Sequence, residues 1–124
     1  MDSRRAERLS EALREELAEL IEYELQDPRL AGVTVTEARL SPDGRHLHVA
    51  VAVSGPPAAH QLAAEALEHA AVYLRRMVGI RLRLFRAPEI HFTEADPAGN
   101  RVGELLERIR KNREKIEKKP PNER

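Results

Sequence analysis

Residues 70–92 read AAVYLRRMVGIRLRLFRAPEIHF. The stretch leaves an alanine-rich helical pattern, passes Gly79 and enters an alternation of apolar residues and arginine that stops at Pro88. A change of period from helical to twofold within so few residues marks a mixed α+β domain. Five arginines, Arg75, Arg76, Arg81, Arg83 and Arg86, fall in it before the first acid, Glu89. Guanidinium is always charged and its planar fork matches phosphate oxygens, so such a cluster suits a phosphate backbone better than a small substrate. A solvated amphipathic face would carry the same residues, and the stretch alone does not separate the two readings.

Upstream, Leu62, Ala66, Leu67, Ala70, Leu74, Met77 and Val78 keep helical spacing from about 58 to 78. Residues 63–71 are mostly alanine, which favours helix but fills little space and lets something approach closely. Gly55-Pro56-Pro57 starts this helix and Gly79 is expected to end it. Residues 80–94 are then expected to form a strand, edge or kinked because of Pro88.

Further upstream, VTVTEARLS after Gly32 and RHLHVAVAVS from Arg45 are two β-branched runs joined by Ser41-Pro42-Asp43-Gly44, an antiparallel hairpin. Val33 and Val35 share one phase and Ala38 and Leu40 the other, which predicts a bulge near Thr36 and Glu37. Leu9, Leu13, Leu17, Leu20, Ile21 and Leu25 define a first amphipathic helix over about 4–26, capped by Asp2 or Ser3 and ended by Pro28. Its acids Glu11, Glu15, Glu19 and Glu22 read as a solvated face.

Downstream, residues 96–100 read as a loop, and Val102, Leu105, Leu106 and Ile109 as a last helix. The expected organisation is one binding domain over 1–110 and a charged, frayed extension over 111–124.

The chain has 124 residues, 21 basic and 21 acidic, so its net charge gives no argument for nucleic acid. The distribution does: residues 1–30 carry −4, 31–74 carry −2, 75–88 carry +5, 89–107 carry −4 and 108–124 carry +5, with histidine neutral. The chain has no cysteine, which removes disulfides and thiol chemistry. No apolar run approaches the length of a membrane span, and a cytoplasmic location is expected.

The catalytic inventory is thin. Ser3, Ser10, Ser41 and Ser54 read as caps and turn residues, and no glycine-rich phosphate loop is present. His46 and His48 lie two apart on a strand with His91 as the only candidate third imidazole, and they are taken as sheet-face histidines rather than a metal site. Glu94 and Asp96 read as ordinary acids at a strand end. No catalytic group, metal or cofactor is expected. With only Tyr23, Tyr73, Phe85 and Phe92 as aromatic residues, base stacking on a sheet face is not the expected mode of binding.

The order helix, strand, strand, helix, strand resembles the type II K-homology fold, with helices on one face of a three-stranded sheet. Asp27-Pro28-Arg29-Leu30, Val33-Thr34-Val35-Thr36, Leu40-Ser41-Pro42-Asp43, Tyr73-Leu74-Arg75, Gly79, Leu82-Arg83 and Pro88-Glu89-Ile90-His91-Phe92 together resemble the bacterial ribosome-binding factor A family. The resemblance implies a non-catalytic assembly factor that binds the free 30S subunit, near the 5′ and 3′ ends of 16S rRNA, and aids maturation of that RNA. It also implies an α-β-β-α-α-β order in which an Ala-x-Gly kink separates the last two helices. The matching positions are Ala70, Ala71 and Val72, so the kink glycine is replaced by valine, and Phe85 stands where many members carry arginine. On this reading Ala70 and Ala71 offer a close-packing surface and a helix N-terminus to RNA, and Arg75, Arg76, Arg81, Arg83 and Arg86 hold its phosphates. The protein is expected to act as a monomer. Two other readings stand beside it: a general K-homology RNA chaperone, and a protein-interaction module using the sheet edge or the acidic first helix.

Overall fold

The computed structural model describes residues 2–95. The expected last helix, the basic tail and Asp96 lie outside the described residues. Asp2 is the N-cap of α1, Ser3–Glu19, its carboxylate accepting the Arg4 N–H. The helix then widens into a π-turn over Leu20–Glu24, closed by the Leu25 N–H on the Leu20 carbonyl at 2.7 Å. A π-turn adds a residue per turn and rotates the side chains that follow. Glu22 is thereby turned toward the first strand rather than standing in solvent with Glu11, Glu15 and Glu19.

The helical segment gives way to extended backbone at Leu25, about two residues before the expected stop, and the residue that caps the next turn is Asp27. Its carboxylate accepts the Arg29 backbone N–H at 2.9 Å and the Arg29 guanidinium at 2.8 Å, fixing the 3-10 turn Pro28–Leu30 and delivering Leu30 to the core. These contacts to Arg29 hold the Asp27 carboxyl below its usual range.

Strands β1, Val33–Leu40, and β2, His46–Val53, pair antiparallel around the Ser41–Gly44 turn. The register slips between Val35 and Glu37, the bulge that the phase change predicts. Thr36 secures it by donating its hydroxyl to the Ala50 carbonyl at 3.1 Å. Two N–H groups of β1 are taken by side chains of the π-turn and of α1: Val35 by Glu22 at 3.1 Å and Leu40 by Ser10 Oγ at 3.0 Å. Filling donors in this way removes part of what an incoming strand would pair with.

Helix α2, Pro57–Arg81, crosses over and brings β3, Glu89–Glu94, parallel to β2, giving the sheet order β1-β2-β3. The core lies between the sheet and the two helices, with Leu13 and Leu17 of α1, Leu20 and Ile21 of the π-turn and Ala63, Leu67, Leu74 and Val78 of α2 all buried. Each fully buried leucine contributes roughly 2 kcal/mol of transfer free energy.

Three expectations are corrected here. The two consecutive helices are one uninterrupted helix, because Ala70, Ala71 and Val72 all accept α geometry and no glycine breaks the run. Consequently no helix N-terminus stands at Ala70 or Ala71. Gly79 does not end the helix, which runs on to Arg81, and residues 80–88 are not strand. Gly79 instead permits a close approach, since a Cβ there would sit 3.2 Å from the Ala87 Cβ. The alternation of Leu82 and Leu84 with arginine reflects a turn whose leucines point to the core.

Candidate nucleic-acid interface

The basic stretch is organised by how α2 stops. The Leu84 N–H donates to the Gly79 carbonyl at 2.9 Å and the Arg83 N–H to the Ile80 carbonyl at 3.3 Å. This pair of bonds is a Schellman motif, which requires a left-handed residue just past the helix. That residue is Arg83, at φ +52°, where glycine is the usual occupant. Leu84, next in the chain, packs on the core, so Arg83 is thrust outward and is exposed.

The five arginines have different surroundings. Arg75 donates from Nε and Nη2 to the Ala87 carbonyl at 3.2 and 3.1 Å, tying the helix to the segment that leads into β3. It remains exposed, as are Arg76, Arg83 and Arg86. No ion pair is made by these four among the described residues. Arg81 departs from expectation. Its guanidinium grips both oxygens of Glu24 and lies 3.7 Å from Glu16 Oε1. Hydrogen bonding to Glu24 raises Arg81 above its ordinary value and lowers Glu24. Arg81 therefore joins α2 to α1, and its charge is spent inside the protein.

Ala70 and Ala71 are half-buried on α2, and Val72 beside them is 80% exposed. Tyr73, Ile80 and Phe85 are exposed too, Phe85 completely. The helical spacing sets Arg75 one turn after Ala71 and Arg76 one turn after Val72. The surface is thus mixed, arginine beside uncovered apolar groups, rather than purely basic. Sequence reasoning found the arginines but not the apolar component: in a twofold alternation Ile80 shares the phase of Leu82 and Leu84 and looks like core, while Phe85 falls in the phase of Arg81 and Arg83.

A second grouping appears on the sheet face turned away from the core. The parallel register sets His46 opposite Glu89 and His48 opposite His91. His46 Nδ1 lies 3.0 Å from His91 Nε2, and the His48 ring stacks on His91 at 5.1 Å between centroids. Burial, and then charge on His91, His46 and Arg39, push His48 below its ordinary value. The proximity of His91 depends on a crossover that spacing alone does not reveal.

Fold and surface together define a small α+β domain whose basic, partly apolar surface surrounds the end of its crossover helix. The family profile described as "Ribosome-binding factor A" matches residues 5–114, and the chain belongs to that family. It is 46% identical over 115 residues to the ribosome-binding factor A of Solibacter usitatus, covering 91% of this chain and 94% of that one. The crystal structure of ribosome-binding factor A from Thermus thermophilus superposes with a TM-score of 0.66 at 35% identity, over 74% of this chain and 99% of that one. A Thermus thermophilus ribosome binding factor A homology model, fitted into the cryo-EM map of its 30S complex, aligns at a TM-score of 0.57 and 36% identity, over 69% and 90% of the two chains.

Proposed function

We propose that this protein binds the 30S ribosomal subunit through 16S rRNA, near the RNA's 5′ and 3′ ends, and assists its maturation without catalysing a reaction. The observation that carries the reading is the likeness to a relative fitted into a 30S complex, in a chain that matches the family profile along most of its length. The protein works in the cytoplasm as a monomer on the free subunit.

Arg75, Arg76, Arg83 and Arg86 are the proposed phosphate contacts, with Ala70 and Ala71 as the low surface over which the backbone passes. Arg81 is left out, because Glu24 and Glu16 already hold it. Support for Arg83 comes from its backbone. A left-handed arginine is strained where glycine would not be, and such strain is retained most readily where the side chain has work to do. Phe85 offers one exposed ring for a single unpaired base.

Co-sedimentation with 30S subunits tests the reading. Reversing Arg76, Arg83 and Arg86 to glutamate should abolish it while circular dichroism stays native, and retained binding rejects these residues. Four neutralised phosphates predict a loss on the order of 50-fold in affinity between about 50 and 200 mM salt, at roughly −0.7 per single-strand contact. Depleting the protein in cells should cause unprocessed 16S precursor to accumulate. Binding that survives nuclease treatment would point to a protein partner instead.

A further inference from the structure

We propose that His46, His91 and Glu89 form a binding site for a divalent transition-metal ion of the zinc type on the open face of the sheet. The proposal stands apart from the rRNA reading and draws on none of its residues.

His46 Nδ1 is 3.0 Å from His91 Nε2 and 4.0 Å from Glu89 Oε2, and one donor atom from each of the three residues lies within 4.8 Å of the others. Ligand bonds of roughly 2.0–2.2 Å in tetrahedral geometry set donor atoms about 3.3 Å apart. Parting the two imidazoles by about 0.3 Å and drawing the carboxylate in by about 0.7 Å toward His46 and by up to about 1.5 Å toward His91 therefore makes three corners of such a site. Both adjustments are side-chain movements. The Glu89 and His46 side chains are 60% and 44% exposed, and neither is fixed by packing.

The backbone beneath is fixed. His46 and Glu89 open β2 and β3 as a register pair, the Glu89 N–H donates to the Arg45 carbonyl at 2.8 Å, and His91 follows two residues later on the same face. Stacking against His48 orients the His91 ring, although it leaves His48 Nδ1 buried with no hydrogen-bond partner among the described residues. Two imidazoles that face each other nitrogen to nitrogen can share only one proton. A metal ion takes that proton's place, satisfies both lone pairs and adds the carboxylate. Two imidazoles and one carboxylate are donors that suit Zn²⁺, and the fourth position faces solvent, open to water.

The test is a calorimetric titration of tag-free, chelator-treated full-length protein with ZnCl2 at pH 7.5, repeated with Co²⁺ for its visible absorption. One equivalent should bind saturably, Co²⁺ should give the intense bands of a four-coordinate site, and the melting temperature should rise with Zn²⁺ concentration. His91→Ala and His46→Gln should each weaken binding by at least about tenfold and Glu89→Gln by less, while His60→Ala and His69→Ala leave it unchanged. All these side chains are at least partly exposed, and circular dichroism verifies the fold of each variant. Absence of saturable binding, or binding of the same strength in folded His91→Ala, overturns the proposal.

Discussion

The Glu22 carboxylate accepts the backbone N–H of Val35 at 3.1 Å, joining the π-turn of the first helix to the strand residue just before the bulge. Each irregularity supports the other. The π-turn aims the carboxylate, and the carboxylate takes up a donor at the point where the ladder slips.

Removing that acceptor leaves a half-buried N–H without a partner. Glu22→Ala should destabilise the protein by about 2 kcal/mol, within the range for hydrogen bonds to charged groups. Glu22→Gln, whose amide oxygen can still accept, should lose less than half as much. Urea unfolding of the three proteins measures the difference. Equal stability of wild type and Glu22→Ala would show that water replaces the carboxylate at no cost.

Arg81 and Arg76 separate stability from binding. Arg81→Met breaks the grip on Glu24 and Glu16 and should lower the melting temperature, while the salt dependence of 30S binding keeps its slope. Arg76→Met should do the reverse, leaving the melting temperature in place and reducing the slope by about 0.7. Thermal unfolding and affinity measured at several salt concentrations read both outcomes. An Arg81→Met variant with a shallower slope would return that arginine to the phosphate contacts.

Arg83→Gly should make the protein more stable and a weaker ligand for the subunit. Glycine occupies φ +52° without strain, and its extra freedom in the unfolded chain offsets part of the gain, leaving about 0.5–1 kcal/mol. Denaturant titration together with co-sedimentation tests the pair of effects. A variant that is stabilised with undiminished binding would remove Arg83 from the interface.

His60 predicts a pH dependence. Its Nδ1 lies 2.8 Å from Glu94 Oε2 and its Nε2 3.0 Å from the Gly55 carbonyl, so only the doubly protonated ring satisfies both. Glu94, then the Gly55 carbonyl, raise His60 above its ordinary 6.5. Stability from this contact is therefore complete below about pH 6 and fades as the pH rises through the elevated value. Relative to Glu94→Gln, the wild type should be more stable at pH 6 than at pH 8.5. A proton NMR titration of His60 should give a value above 6.5 that falls in the variant. No fall would show that Glu94 is only a neighbour.

Much of the fold was legible because local chemistry repeats with a period. The stripe from Leu9 to Leu25, the Ser41–Gly44 turn and the phase change at Thr36 each have one economical local solution, which the structure adopts except where a π-turn over Leu20–Glu24 closes the first helix. The error over residues 80–88 has a local cause as well. Ile80, Leu82 and Leu84 alternate with Arg81 and Arg83 like a strand, yet the Schellman turn after Arg81 also sets Leu82 and Leu84 inward and Arg83 outward. Gly79 is ambiguous in the sequence because glycine serves both as a helix stop and as a gap for a neighbouring segment, and here Ala87 fills the gap.

The chain by itself determined the two helices, the bulged hairpin, the family and the concentration of arginine in residues 75–86. These depend on neighbours a few positions apart, or on patterns that side-chain chemistry writes directly into the order of residues. Only the tertiary structure decided which arginines keep their charge for a partner and which histidines meet. Arg81 is claimed by Glu24, 57 positions away, and His46 meets His91 across 45. Contacts at that separation are set by the crossover of α2 and the packing of the core, and no local spacing encodes them.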